Sequence, residues 1–172
     1  MPSEPLLSPG QRAFLESARR AVLATIAPDG RPRLVPICFV VAGEPPVLYT
    51  PLDDKPKRND DLLSLARVRD IQSDPRVTIL VDRWDEDWTH LAWLRAEGQA
   101  VLLDPGAEQA SAIATLRAKY PQYATHRLEE RPLIRISLER VVAWGLSDQG
   151  RLPPPSGGGS GSSSSPGGSR RR

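Results

Sequence analysis

Cysteine is nearly absent from this chain: Cys38 is the only one in 172 residues. That excludes a disulfide within the chain and any cysteine-based metal site. Cys38 stands inside the apolar stretch Ile37 to Val41, and is expected to be a buried structural thiol in a reducing cytoplasm. Histidine is as scarce, with two. His90 and His126 lie far apart, in no hydrolase or metal-ligand spacing. They read as a partly exposed strand residue and a surface residue. No serine sits in GxSxG, which removes the usual hydrolase signature. No GxGxxG and no repeating β-α-β series occur, which argues against a Rossmann fold. No run of about 20 apolar residues is present, so no membrane-spanning helix is expected. The first residues lack a basic start followed by an apolar core, so secretion is not expected.

A basic body is missing too. The sequence pI is about 9.0, with 23 basic and 21 acidic residues. Four of those basic residues lie in RLPPPSGGGSGSSSSPGGSRRR, from Arg151 onward, which has no acidic residue. The remainder holds 19 basic against 21 acidic residues, a net charge of −2. A basic nucleic-acid-binding domain is therefore disfavoured. Pro, Gly and Ser dominate the tail, which has too little apolar surface to offset the entropy of ordering. The expected organisation is one domain over 1–149 and a disordered tail over 150–172 with a basic end.

What is present is mostly strand. Ser8-Pro9-Gly10-Gln11 reads as a helix start, with Ser8 as N-cap and Phe14, Leu15 and Ala18 at helical spacing up to about Arg20. Ala21 to Ala27, a turn at Pro28-Asp29-Gly30, and Arg31 to Val41 read as a hairpin. Val47 to Thr50 is a third strand. Asp60 or Asp61 is expected to cap a helix carrying Leu62, Leu65, Ala66 and Val68 inward. Val77 to Val81 is a nearly all-apolar, central strand. His90 to Leu103 is a long strand with a bend at Gly98. A helix over Gly106 to Lys119 follows, then a last strand from Leu133 to Trp144. Six or so strands with few helices predict a mainly β chain, an antiparallel barrel with Greek-key connections.

The chemistry-bearing stretch is VLYTPLDDKPKRNDDLLSLARVRDIQSDPRVTILVD, from Val47 to Asp82. A strand ends at Pro51 in a loop carrying Lys55, Lys57 and Arg58. Such a loop supplies charged donors to phosphate oxygens. A solvated charge run is the plain alternative, and the order strand, basic loop, helix, Asp-Pro, strand weighs against it. The pairs Asp53-Asp54 and Asp60-Asp61 read as turn formers and helix caps. Asp85-Glu86-Asp87 reads as a solvated loop. No catalytic acid-base set and no metal site stand out. This suits hydride transfer, where a cofactor holds the reactive atoms and the protein orients it.

The stretches AVLATIAPDGRPRLVPICFV, LYTPLDDKPKR with SDPRVTILVDRW, HLAWLRAEGQAVLL and LIRISLERVVAWG together resemble the pyridoxamine-phosphate-oxidase-like family. Within it, the resemblance is to the branch that uses coenzyme F-420. It covers roughly residues 11 to 146 and implies a split β-barrel of the FMN-binding kind.

The resemblance further implies an elongated cofactor lying across the barrel, often at a dimer interface. Lys55 and Lys57 would bind its phosphate, with Arg58 assisting and Arg69 reaching the same anion from the next helix. Asp70 stands where such proteins commonly have Asn, and a carboxylate there would pair with and orient a basic residue. Val35, Pro36 and Ile37 would lie against the ring, with core packing as the plain alternative, and Thr50 would place a hydroxyl near it. Trp88 and Trp93 would line the ring pocket or the interface, or serve as core plugs; Trp144 reads as core. The implied protein is a cytoplasmic homodimeric oxidoreductase delivering hydride from reduced F-420 to a small organic acceptor. FMN as cofactor is one alternative. A non-catalytic protein holding a flavin or haem-type group is another.

Overall fold

The computed structural model describes residues 5–52 and 65–146. Helix α1 (Pro9–Ser17) starts in a reciprocal cap: Gln11 N–H donates to Ser8 Oγ (3.3 Å) and Ser8 N–H to Gln11 Oε1 (3.0 Å). Strands β1 (Ala21–Ile26) and β2 (Pro32–Ile37) form the expected hairpin. Then come β3 (Val40–Ala42), β4 (Val47–Pro51), α2 (Ala66–Ser73), β5 (Arg76–Arg83), β6 (Ala92–Leu103), α3 (Ala107–Lys119) and β7 (Leu133–Trp144). Asp60 and Asp61, the expected caps of α2, lie outside the described residues, as does the tail. The described helix begins after Leu65, which is extended. No helix of the described residues is long and apolar enough to cross a membrane.

All seven strands form one antiparallel sheet in the order β2-β1-β5-β6-β7-β4-β3. A flat sheet would hold its two edges about 29 Å apart at the usual strand spacing. Yet β2 ends at Ile37 and β3 begins at Val40, three residues later. Three residues reach at most about 11 Å. The sheet must therefore curl until its edges meet, and the result is a half-closed barrel.

This corrects one expectation. Arg31 to Val41 does not run as a single strand; it divides into β2 and β3 on opposite edges. The cause sits at the link. Phe39 N–H donates to the Tyr120 hydroxyl (3.1 Å) rather than to a neighbouring strand. That hydroxyl also lies 2.9 Å from Phe39 O and 3.1 Å from Arg19 O, and has one proton to give to one of them.

Two prolines mark β2 as an edge. Pro32 pairs with Ile26 and Pro36 with Val22. Proline has no N–H to give, so both fit only with the nitrogen turned to the open edge, where they also discourage further strand pairing.

Alternation sorts the faces. Leu23, Phe39, Leu48, Ile79, Leu94, Ile134 and Ile136 fill the inner face and are fully buried. Phe14 and Leu15 of α1 and Val68 and Ile71 of α2 join this cluster. Helix α3 packs on the outer side of β3 and β4, where Ile113, Leu116 and Tyr120 meet Val40, Tyr49 and Leu133. The long strand β6 shifts register between Glu97 and Gly98, at the expected bend.

Three local expectations need correction. Cys38 is half-buried rather than buried, since it lies in the link between the edges. His90 is in a short 3-10 turn, not a strand. Trp144 is 50% exposed rather than core, because it pairs with Trp93 on the outer face, beyond the reach of α3. His126 is half-buried, with its ring edge-on to Tyr123 at 5.3 Å.

Candidate functional site

A charged cluster with a buried carboxylate joins β1, β2 and α2. Thr25 and Arg33 are cross-strand partners and so share a face. Asp70, on α2, reaches both. Thr25 Oγ1 donates to Asp70 Oδ2 (2.7 Å), and Arg33 Nη1 lies 2.7 Å from each carboxylate oxygen. Asp70 is 1% exposed and Arg33 is 43% exposed. One end of the guanidinium is thus fixed under the surface. Its Nε and Nη2 meet no partner among the described residues, and the side chain is partly open to water. A guanidinium held by one nitrogen with its other donors unpartnered is a preorganised anion receptor.

Arg33, Val35 and Ile37 alternate along one face of β2. Arg33 and Ile37 are four residues apart, about 13 Å along a strand. The edge strand therefore carries a cation at one end and an apolar strip at the other. That suits a ligand with an anionic group and a flat ring.

The candidate residues divide as follows. Lys55, Lys57 and Arg58 lie outside the described residues. Arg69 is exposed on α2, next in sequence to Asp70. Val35 is half-buried against the core, Pro36 exposed and Ile37 buried. Thr50 is buried; Val40 pairs with Tyr49, so Thr50 sits beside the link that leads to Ile37. Trp88 is exposed in the β5–β6 connection, and Trp93 is half-buried on the outer face. The β2–β1–β5–β6 registers put Ile37 and Trp93 at the same end of the sheet. Arg33 and Thr25 were missed by the sequence reading; the alternation of Arg33 with Val35 and Ile37 was the available signal. Asp70 does hold a basic residue, but it is Arg33, which the sequence reading did not name, and not one of the expected phosphate-binding cations.

Two other polar clusters fasten α3. Tyr49 Oη donates to Glu108 Oε1 (2.7 Å), which also accepts from Arg135 Nε (2.8 Å). Burial, then Glu108, pushes the Tyr49 hydroxyl up to about 12, and the bonds from Tyr49 and Arg135 pull the Glu108 carboxyl down. Lys119 Nζ lies 4.3 Å from the Phe39 ring centre, buried and without a hydrogen-bond partner among the described residues. Burial, then the charge of Arg19, lowers its amine to about 8.

The fold is that of a split β-barrel flavin-binding protein. The chain belongs to the pyridoxamine 5'-phosphate oxidase family, whose model matches residues 7–145. That family is in general one of flavin-binding oxidoreductases. No curated protein matches this chain. Among solved structures it is similar to a conserved hypothetical protein, Rv2991, of Mycobacterium tuberculosis. They share 25% identity over 87% of this chain and 90% of that one, with a TM-score of 0.64. An F420 reductase matches at 21% identity, 83% and 98% coverage and TM-score 0.56. An FAD-binding protein of Mesorhizobium loti matches at 21% identity, 76% and 88% coverage and TM-score 0.53.

Proposed function

We propose that this protein is an oxidoreductase that binds reduced coenzyme F-420 along β2 and serves hydride transfer to a small organic acceptor. The observation that carries this is Arg33, fixed by Asp70 through Nη1 with Nε and Nη2 unpartnered among the described residues, on the same face of β2 as Val35 and Ile37. Arg33 and the exposed Arg69 would take the phosphate, together with Lys55, Lys57 and Arg58. The apolar strip Val35 to Ile37 would carry the ring, with Thr50 beneath it and Trp93 at the same end of the sheet. The cofactor supplies the hydride. The chain's part is to bind, to orient and to keep water from one ring face.

F-420 is favoured over FMN because its acidic tail adds negative charge beyond the phosphate. The cations available, Arg33, Lys55, Lys57, Arg58 and Arg69, outnumber what a single phosphate needs. FMN along the same strand is the second reading, since the FAD-binding neighbour shares the fold. Storage of a flavin or haem-type group without turnover is the third.

The working unit is proposed to be a cytoplasmic homodimer. Leu34, Leu80 and Pro36 leave apolar surface exposed on the outer face of β2, β1 and β5. Beside them lies a groove of about 380 Å³ lined by Ala24, Ile26, Pro32 and Thr78 and by the charged Arg76, Glu97 and Glu139. A second copy would cover this face.

The deciding experiment titrates the protein with oxidised F-420 and, separately, with FMN, following tryptophan fluorescence. Saturable quenching at lower concentration for F-420 supports the proposal. Preference for FMN transfers the protein to the second reading. Tight binding with no acceptor reduced supports storage, and no response to either removes the enzyme assignment.

A further inference from the structure

The outer end of the barrel leaves unusual surface in water. Trp84 and Trp88 are 68% and 70% exposed, within a single short connection. Large indole rings seldom stay uncovered unless something docks on them. The same connection is acidic, with Asp85, Glu86 and Asp87, and the end of β5 beside it adds Asp82 against Arg83. Asp85 and Asp87 face the His90 Nδ1 at 3.5 and 3.9 Å, while Glu86 has no partner among the described residues.

We infer that this tryptophan-bearing face docks the chain's own arginine-containing segment, residues 151–172. The argument is one of place, reach and charge. Strand β7 ends at Trp144, which pairs with Trp93 on β6, and Arg83 of β5 pairs with Ala92. The chain thus passes Leu146 at the same end of the sheet as the β5–β6 connection, about 10 Å away at two strand spacings. From Leu146 to Arg170 there are 24 residues rich in Gly and Ser. Such a segment has a typical end-to-end distance of about 25–29 Å, ample for the span.

The chemistry is complementary. Arg151, Arg170, Arg171 and Arg172 are the segment's cations, and the only acid after Leu146 is Asp148. Guanidinium groups pair with carboxylates and also stack on indole faces. Each contact is weak and screened by salt. Tethering raises the local concentration to roughly millimolar, which lets a weak contact be populated. The inference does not depend on which cofactor lies along β2.

The test uses the full chain and its variant Arg170→Ala/Arg171→Ala/Arg172→Ala, which leaves the barrel untouched. Acrylamide quenching of tryptophan fluorescence is measured at low salt and at about 0.5 M salt, where charges are screened within a few ångströms. In the parent, the rings are expected to be shielded at low salt, with the shielding lost at high salt. The variant should lack the salt-sensitive shielding, and Glu86→Gln should weaken it. Trp84→Phe/Trp88→Phe should remove it from the signal. Equal quenching of parent and triple variant at low salt overturns the inference. Shielding that survives in the variant and disappears on dilution also overturns it, and assigns the face to a second copy.

Discussion

Arg33 Nη1 sits 2.7 Å from both carboxylate oxygens of Asp70, and the two residues differ sharply in burial. That asymmetry makes the pair's two halves unequal. Arg33→Ala leaves the buried carboxylate, among the described residues, with only the Thr25 hydroxyl, and is expected to cost about 3 kcal/mol. Asp70→Asn keeps an acceptor for Thr25 and frees a guanidinium that water can solvate, so about 1 kcal/mol is expected. Urea denaturation of both variants checks the order; equal losses would refute it.

The same pair governs anion binding in the proposed site. Arg33→Ala should weaken F-420 or FMN binding by at least about tenfold, the scale of one charge-assisted hydrogen bond. Arg33→Lys should recover little, because an ammonium cannot hold Asp70 and present a planar pair of donors together. A fluorescence titration reads both. Full recovery by lysine would show that charge alone suffices.

Gly98 is fixed by space. A Cβ there would lie 2.1 Å from the backbone oxygen of Ser137, on the paired strand β7. Backbone cannot rotate away as a side chain can, so β6 and β7 would have to part. Gly98→Ala is expected to cost about 3 kcal/mol or more. Thermal unfolding measures it, and an unchanged midpoint would contradict the close approach.

Tyr120→Phe tests the link that closes the sheet. The change leaves the buried Phe39 N–H without its acceptor, at a cost of about 1–3 kcal/mol. Hydrogen exchange at Phe39 should accelerate well beyond that of the β6 core. Retained protection would show that another group takes the N–H.

The combined contribution of Lys119 and Tyr49 to stability should pass through a maximum near pH 10. Lys119 titrates at about 8 in the fold against 10.5 when unfolded. Between those values the unfolded chain holds more protons, so stability rises with pH. Tyr49 is the reverse, at about 12 in the fold against 10.0. There the folded chain holds the extra proton, and stability falls as pH rises from 10 towards 12. Lys119→Met should flatten the rising arm and Tyr49→Phe the falling arm, as followed by denaturation across pH.

Much of the fold was legible because it is written in local signals. The Ser8 cap, the Pro28-Asp29-Gly30 turn, the bend at Gly98 and the alternation of Leu133 to Trp144 all act within a few residues. What escaped depends on distant partners. The break after Ile37 is set by Tyr120, 81 residues from Phe39. Nothing near Arg33 separates it from Arg31; Asp70, 37 residues on, does. Trp144 looked like core because its neighbours are apolar, but its parity puts it on a face no helix covers there.

The position of β7 has a consequence for how the chain is made. It lies between β6 and β4, and its pairing joins Val47 to Ser137 across 90 residues. A chain emerging from the ribosome can form the β1–β2 and β5–β6 hairpins as soon as each is released. Strand β4 has no partner but the three residues of β3 until Leu133–Trp144 appears. The unfinished sheet thus carries a raw β4 edge from Pro51 onward and a second, β6, from Leu103, until β7 arrives to close both, and in that interval the chain is most open to mispairing.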